Sequence, residues 1–259
     1  MTRRIIAPLV GITVFLGLWE MLVRAFDVRK FILRPPSVAV RHLWNFRGDF
    51  ASAAWITIQH AGFGLALALS ISLVVGAAMA SSPFLEHAVQ PVLTLVQVAP
   101  WFAYVTSIVL WLGAGNPPAV FLVTLVCTPA FVFATVDGMR SVEPATLELL
   151  HSVDATRWEV MRRLRLPAAA PTLFTTARFS IGLALAAAYY VEGANFSNEG
   201  IGAIGRRAAT QPSGSDALWA AVFAMAILGV TGLLVLSIIQ RTALPVSYTH
   251  LTLPTSDLV

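Results

Sequence analysis

Charge is scarce in this sequence of 259 residues. Asp, Glu, Lys and Arg together make up 12% of it, whereas 57% of the residues are hydrophobic. Because a soluble domain typically carries about 25% charged residues, the composition excludes an ordinary soluble domain and indicates an integral membrane protein. The net charge of +4 comes from basic residues scattered over several short segments. That dispersal argues against nucleic-acid binding, which gathers basic residues on one face or stripe.

Cysteine and lysine are almost absent as well. Cys127 is the single cysteine, which excludes an intrachain disulfide and a cysteine-cluster metal site. Lys30 is the single lysine and lies outside any GxxxxGK[ST] pattern, so the chain has no phosphate-binding loop of the kind that hydrolyses ATP. HExxH and GxSxG motifs are also missing. We therefore expect no catalytic residues, cofactor or metal in this chain.

Long apolar runs dominate what is present. Six of them are long enough to cross about 30 Å of hydrocarbon as a helix: 5–23, 58–80, 88–112, 118–136, 171–191 and 217–239. They predict an all-α membrane protein with six transmembrane helices. Pro91 and Pro100 lie inside the third run, so we expect a short helix to precede or interrupt that span. Between the first two runs, RPPSVAVRHLWNF predicts a short amphipathic surface helix.

One strongly basic stretch interrupts these runs. The segment 147–167 reads LELLHSVDATRWEVMRRLRLP and holds four arginines, each of which costs about 2.5 to 3.5 kcal/mol at a membrane centre. It must lie outside hydrocarbon. Pro144 suits a helix start, TRWE at 156–159 fits a capping box that starts a second helix, and Pro167 is expected to end it. Periodicity alone leaves two interpretations open, a docking element or a surface hairpin that merely connects two spans.

The same stretch resembles the EAA loop of ABC importer permeases, whose pattern is E-A-A, three residues, G, nine residues, I-x-L-P. The matching positions are Glu148, Leu149, Leu150, Asp154, Leu164, Leu166 and Pro167. Two leucines replace the alanine pair and an aspartate replaces the glycine. Asp tolerates a left-handed turn better than most residues, so we expect the turn to survive. The third run, PVLTLVQVAPWFAYVTSIVLWLGAG, extends the likeness to the nitrate, sulfonate and taurine branch over about 5–244.

The resemblance implies a transport subunit of the bacterial cytoplasmic (inner) membrane, embedded in the lipid bilayer. It implies a homodimer with a second permease copy, an extracytoplasmic solute-binding protein, and a separate ATPase subunit that binds ATP and Mg. The cytoplasmic loop would insert into a cleft on that ATPase. The coupling residues so implied are Glu148, Leu149, Leu150, Asp154, Ala155, Arg157, Trp158, Leu164, Leu166 and Pro167. Small anions such as sulfonates, nitrate or taurine are the leading solutes, and vitamin precursors follow.

The third span is the best candidate for the solute path, because a proline-broken helix exposes backbone groups to a cavity. The polar or helix-breaking candidates are Gln97, Pro100, Tyr104, Thr106 and Ser107, joined by Tyr189, Tyr190 and Glu192 from the fifth span. Polar groups between helices serve equally as packing contacts. For Glu192 both a gating and a structural role are open, and His60 is interpreted as a polar group at a helix end. GIGAIG at 200–205 lacks a βαβ context and is interpreted as a tight outer turn.

Two other protein classes remain alternatives. An intramembrane enzyme would need a catalytic polar pair at matched membrane depth, and a stand-alone secondary transporter would usually show an internal repeat, which we do not find. The end of the chain differs in kind: VSYTHLTLPT resembles the translation of a sequencing-library transposon adapter. We expect 1–245 to form the transmembrane domain and 246–259 to be a non-native tail, with an ordinary tail as the alternative.

Overall fold

The computed structural model describes residues 2–194 and 199–243, and within these ranges the chain is helical without strands. The helices are α1 (Thr2–Ala25), α2 (Pro36–Asn45), α3 (Arg47–Ser81), α4 (Pro83–Val98), α5 (Val105–Leu112), α6 (Asn116–Arg140), α7 (Pro144–Ser152), α8 (Arg157–Val160), α9 (Leu166–Ala194), α10 (Gly200–Ala209) and α11 (Ser215–Ala243). A 3-10 turn, Trp101–Tyr104, precedes α5, and a π turn, Met161–Arg165, precedes α9. The tail predicted at 246–259 lies outside the described residues.

Four helices, α1, α3, α6 and α11, are long and apolar enough to cross a membrane. A fifth span is formed if α4 and the segment Trp101–Leu112 are taken together, since they meet at an 85° bend. The bend lies at Pro100, as the proline-broken third run predicts. The run at 171–191 corresponds to α9, whose 29 residues include Arg178 and Glu192, and these charges lower its mean hydropathy. The described residues therefore contain four or five such spans, and the sixth stays a prediction.

The core lies where α3, α6 and α9 pack along one another. Small residues allow the helices to approach closely: a Cβ on Gly64 would lie 2.4 Å from Cγ1 of Val123, and one on Gly138 would lie 2.6 Å from Cα of Ala169. Cys127 is completely buried between these helices. Close packing through small residues is the usual way in which helices associate where lipid supplies no hydrophobic drive.

The amphipathic helix expected after the first span is present as α2, and polar contacts anchor it to α1. Glu20 accepts hydrogen bonds from Nε of Arg24 at 2.6 Å and from the backbone N–H and hydroxyl of Ser37 at 3.0 and 2.7 Å. Trp19 packs on Trp219 of α11, with ring centroids 5.3 Å apart. These contacts attach the first span to the rest of the bundle at the end where α2 begins.

Candidate functional site

The basic loop begins with α7 and a left-handed turn. Pro144 occupies the first position of α7, as expected. Asp154 has φ +54°, and the backbone N–H of Ala155 donates to the carbonyl of Leu150 at 3.1 Å. This is the hydrogen bond of a Schellman helix end, in which glycine usually occupies the left-handed position. Asp154 thus takes the backbone conformation for which the EAA pattern has glycine.

A capping box starts α8, as the TRWE pattern predicts. The hydroxyl of Thr156 accepts from the backbone N–H of Glu159 at 3.3 Å, and the Glu159 carboxylate accepts from the backbone N–H of Thr156 at 3.0 Å. The backbone N–H and the hydroxyl of Thr156 hold the pKa of Glu159 below its usual value. The two loop helices are therefore fixed by local hydrogen bonds at the turn that joins them.

The prediction that Pro167 ends the second loop helix is wrong. The chain passes from α8 through the π turn directly into α9, which starts at Leu166. A proline is tolerated in the first turn of a helix, where its missing N–H is not needed, and the wider π turn accommodates its ring. The loop and the fifth predicted span are consequently one continuous helical path.

The apolar residues of the loop divide into two groups. Leu149, Val153 and Trp158 are 66%, 67% and 67% exposed, whereas Leu150 and Leu164 are half-buried against the chain itself. Of the other residues expected to couple, Glu148, Asp154, Arg157 and Pro167 are exposed and Ala155 and Leu166 are half-buried. The apolar residues of the loop are thus divided into an exposed outer group and an inner group that packs against the chain.

A buried polar cluster lies at the opposite end of α9. Glu192 is only 1% exposed. Its carboxylate accepts from the hydroxyl of Thr57 at 2.9 Å and from the backbone N–H of Gly202 at 3.0 Å, and its other oxygen lies 2.9 Å from Nδ1 of His60. Burial of a carboxylate is costly unless it is hydrogen-bonded in this way. The cluster joins α3, α9 and α10.

The cluster continues beyond the carboxylate. Nε2 of His60 lies 3.0 Å from Oδ1 of Asn116, the first residue of α6, and the backbone N–H of Ile201 donates to the hydroxyl of Thr57 at 3.0 Å. The interpretation of His60 as a polar group at a helix end is therefore wrong, because His60 lies inside α3 and is a buried member of a four-helix network. Sequence reasoning missed Thr57 and Asn116; the one signal was the spacing of Thr57 and His60, which places both on one face of a helix.

The interpretation of GIGAIG as a tight turn is also wrong, because these residues form the first turns of α10. Gly200 has φ +81°, and a Cβ there would lie 2.2 Å from Cδ of Glu192. A Cβ on Gly202 would lie 1.9 Å from the carbonyl oxygen of Tyr189. The glycines serve to seat α10 directly on the backbone of α9 and on the buried carboxylate.

Two cavities adjoin Tyr189 and Tyr190. One, of about 370 Å³, lies between α5, α9 and α10, and Phe102, Thr106 and Arg206 also line it. The other, of about 440 Å³, is lined by Trp101 and by residues of α11. Gln97, Pro100 and Tyr104 are exposed near the bend and Ser107 is half-buried, but none of the four lines these two cavities. Sequence reasoning did not single out Phe102 and Arg206.

The family profile described as "Binding-protein-dependent transport system inner membrane component" matches residues 53–245. The chain belongs to this family. It is a permease subunit of the ABC importer class, and the profile covers every described helix from α4 to α11 and most of α3.

The relatives of this chain are named for the transport of different substrates. The formylaminopyrimidine transport permease ThiX of Halalkalibacterium halodurans is 26% identical over 238 residues, which cover 92% of this chain and 94% of ThiX. The riboflavin transport permease RibX of Chloroflexus aurantiacus is 29% identical over 68% of each chain. The taurine transport permease TauC of Escherichia coli is 23% identical over 71% of this chain and 69% of TauC.

Solved structures show the same fold. A chain of the methionine ABC transporter MetNI in an inward-facing conformation has a TM-score of 0.63 and 15% identity, covering 79% of this chain and 98% of that one. A bacterial ABC transporter for the import of alginate has a TM-score of 0.62 and 15% identity, covering 93% and 97%. At this identity the likeness concerns the fold alone.

Proposed function

We propose that two copies of the chain form the solute path of an ABC importer in the bacterial cytoplasmic membrane. A separate ATPase subunit, which binds ATP and Mg, drives the path through the loop from Glu148 to Pro167. An extracytoplasmic solute-binding protein delivers a small solute to the other side. The observation that carries this proposal is the exposed apolar surface of Leu149, Val153 and Trp158 on a loop that its own hydrogen bonds hold in shape.

That surface is suited to docking. Fully burying one large apolar side chain is worth about 1.5 to 3 kcal/mol, so three such residues supply much of the affinity for a partner. The arginines around them keep the loop outside hydrocarbon. Because the loop helix continues into α9 without a flexible linker, movement of a docked ATPase would be passed to the membrane part as rigid-body motion.

The cavity beside the broken span bears on the solute. Arg206 is one of the lining residues, and a cationic residue there suits an anionic group; Phe102 and Tyr190 bring aromatic rings. Sulfonate-, nitrate- or taurine-like anions therefore remain the first proposal. The ring walls favour a second candidate, a planar heterocycle of the kind for which ThiX is named. Uptake of taurine and of formylaminopyrimidine into proteoliposomes that contain the whole importer, each with its binding protein, distinguishes the two.

The buried polar pair bears on the enzyme alternative. Glu192 and His60 are 1% and 4% exposed, and their polar atoms are engaged with Thr57, Gly202 and Asn116. A catalytic pair needs access for a substrate, and this pair is enclosed within the part of the chain that the structure describes. The contacts favour a structural or positioning role over intramembrane catalysis.

The first test is co-purification of the tagged chain with the ATPase subunit encoded beside it. The native loop is compared with a Glu148→Arg, Trp158→Ala double variant, and Trp44→Ala serves as the control because Trp44 is also 67% exposed but lies on α2. We expect the double variant alone to lose the ATPase. If the native chain retains no ATPase, or if the control loses it equally, the importer proposal is wrong.

A further inference from the structure

We propose that Glu192 is a positioning residue for α10, the helix that forms one wall of the candidate path, and that it acts by holding the start of α10 against α3, with His60 linking the carboxylate to the start of α6. This inference rests on the proposed function for its meaning in transport. Its structural part stands on contacts within the chain.

The carboxylate holds the first turn of α10. It accepts the backbone N–H of Gly202, and the Thr57 hydroxyl that donates to it accepts the N–H of Ile201. The first N–H groups of a helix lack partners within the helix, so these bonds satisfy donors that would otherwise be buried unpaired. Gly200 leaves no room for a side chain beside the carboxylate. The first turn of α10 therefore packs directly on the Glu192 carboxylate and is hydrogen-bonded to it.

The next turn of α10 also contacts α9, at a residue that lines the candidate path. Tyr189 precedes Glu192 by three residues and lies on the same side of α9. A Cβ on Gly205 would lie 2.0 Å from the hydroxyl oxygen of Tyr189, so α10 rests on this side chain as well. Gly202, Gly205, Arg206 and Tyr189 line the same cavity. A tilt of α10 would therefore move the Arg206 guanidinium and change the width of the cavity.

The network also reaches the connection that follows the broken span. Phe102 and Thr106 of the broken span line the cavity across from α10. The span ends at Leu112, and α6 starts four residues later with Asn116, whose amide oxygen lies 3.0 Å from His60. Glu192 thus joins the start of α10 to the connection that follows the broken span.

Spin labels at Ser52→Cys and Thr210→Cys measure the position of α10 relative to α3. Both sites are exposed, and the native Cys127 is completely buried and can stay in place. We expect one narrow distance distribution for the full chain in nanodiscs and for Glu192→Gln, since a glutamine can keep the hydrogen bonds. In Glu192→Ala and Thr57→Val a broadened or second distance is expected.

Thr135→Val is the matched control for Thr57→Val. Thr135 is also completely buried, but its hydroxyl bonds only the carbonyl of Phe131 in its own helix, at 2.7 Å. An unchanged distance distribution in both Glu192→Ala and Thr57→Val overturns the proposal. If Glu192→Ala does not yield folded protein, Thr57→Val against Thr135→Val decides. None of these measurements needs an ATPase or a solute, so they are independent of the proposed function.

The functional arm uses proteoliposomes of the assembled importer and measures solute uptake per ATP hydrolysed. A residue that merely stabilises the fold lowers uptake and ATP hydrolysis together, because fewer complexes survive. A positioning residue lowers uptake more than hydrolysis in Glu192→Ala, and Glu192→Gln restores the ratio. An unchanged ratio in Glu192→Ala contradicts the role in transport, whereas absence of ATPase binding by the native chain contradicts the proposed function instead.

Discussion

The two ends of α9 solve opposite problems. At one end Glu192, the most buried charged group of the described chain, has hydrogen-bond partners from two other helices, α3 and α10. At the other, roughly 40 Å away at the helical rise, Leu149, Val153 and Trp158 expose apolar surface to water. At the first end the polar groups find their hydrogen-bond partners within the chain. At the second end the apolar side chains have no apolar neighbours among the described residues to cover them. The difference indicates which end is built for internal order and which for a partner.

The largest expected effect is a loss of stability at the Glu192 end of α9. Gly202→Ala places a Cβ 1.9 Å from the Tyr189 carbonyl oxygen, which cannot yield without displacing α9. We expect a loss of about 3 kcal/mol in stability, visible as a lower thermal midpoint of tryptophan fluorescence in detergent. Gly62→Ala is the control, because nothing lies within 4 Å of its added Cβ. Equal midpoints for the two variants would contradict the seating of α10 described above.

The next effect is a loss of affinity for the ATPase subunit at the loop end of α9, and it should leave stability unchanged. Trp158→Ala removes an exposed anchor, so we expect the affinity for the ATPase subunit to fall by about 2 kcal/mol, or roughly thirtyfold. The thermal midpoint of the chain alone should not change. Affinity is measured by surface binding of the purified ATPase, with Trp44→Ala as the control. A lowered midpoint would mean that Trp158 supports the fold rather than a partner.

A smaller effect concerns the turn between the loop helices. Asp154→Gly removes the side chain from a residue with left-handed backbone. Because glycine adopts positive φ without a steric penalty, the change should stabilise the turn by about 1 kcal/mol. Asp154→Val should destabilise it, since a β-branched residue disfavours positive φ. Hydrogen exchange of the Ala155 amide, which donates to Leu150, reports both. The same exchange rate in all three chains would show that this hydrogen bond does not depend on the left-handed conformation.

The smallest effect is the pH dependence of the capping box. Since the pKa of Glu159 is lowered in the folded loop, its contribution is fully present above the unfolded value of about 4.3. It is lost as the pH falls through the lowered folded value. We expect exchange protection of the Glu159 amide, after correction for intrinsic exchange, to be constant near neutrality and to fall only in acid. Glu159→Gln, which can still cap, should remove that acid dependence; a dependence near neutrality would point to another group.

Local signals predicted much of this structure from the sequence. Apolar runs located the helices, TRWE located the capping box, and the paired prolines located α2. The network around Glu192 was not predictable in the same way, because Thr57 and His60 are 135 and 132 residues away along the chain and meet it only after four helices pack. GIGAIG was misjudged for a related reason: its glycines are needed for close contact with α9, which is distant information, and not for a local turn.

The π turn at Met161–Arg165 joins the loop to everything that follows. A π turn holds one residue more than an α turn, so the five residues from Met161 to Arg165 turn the chain about as far as four residues of a regular α-helix do. Deleting one of them would restore a regular helix and leave Trp158 facing nearly the same way relative to Tyr189 and Glu192. The π turn thus absorbs one extra residue without changing the phase between the two ends of α9.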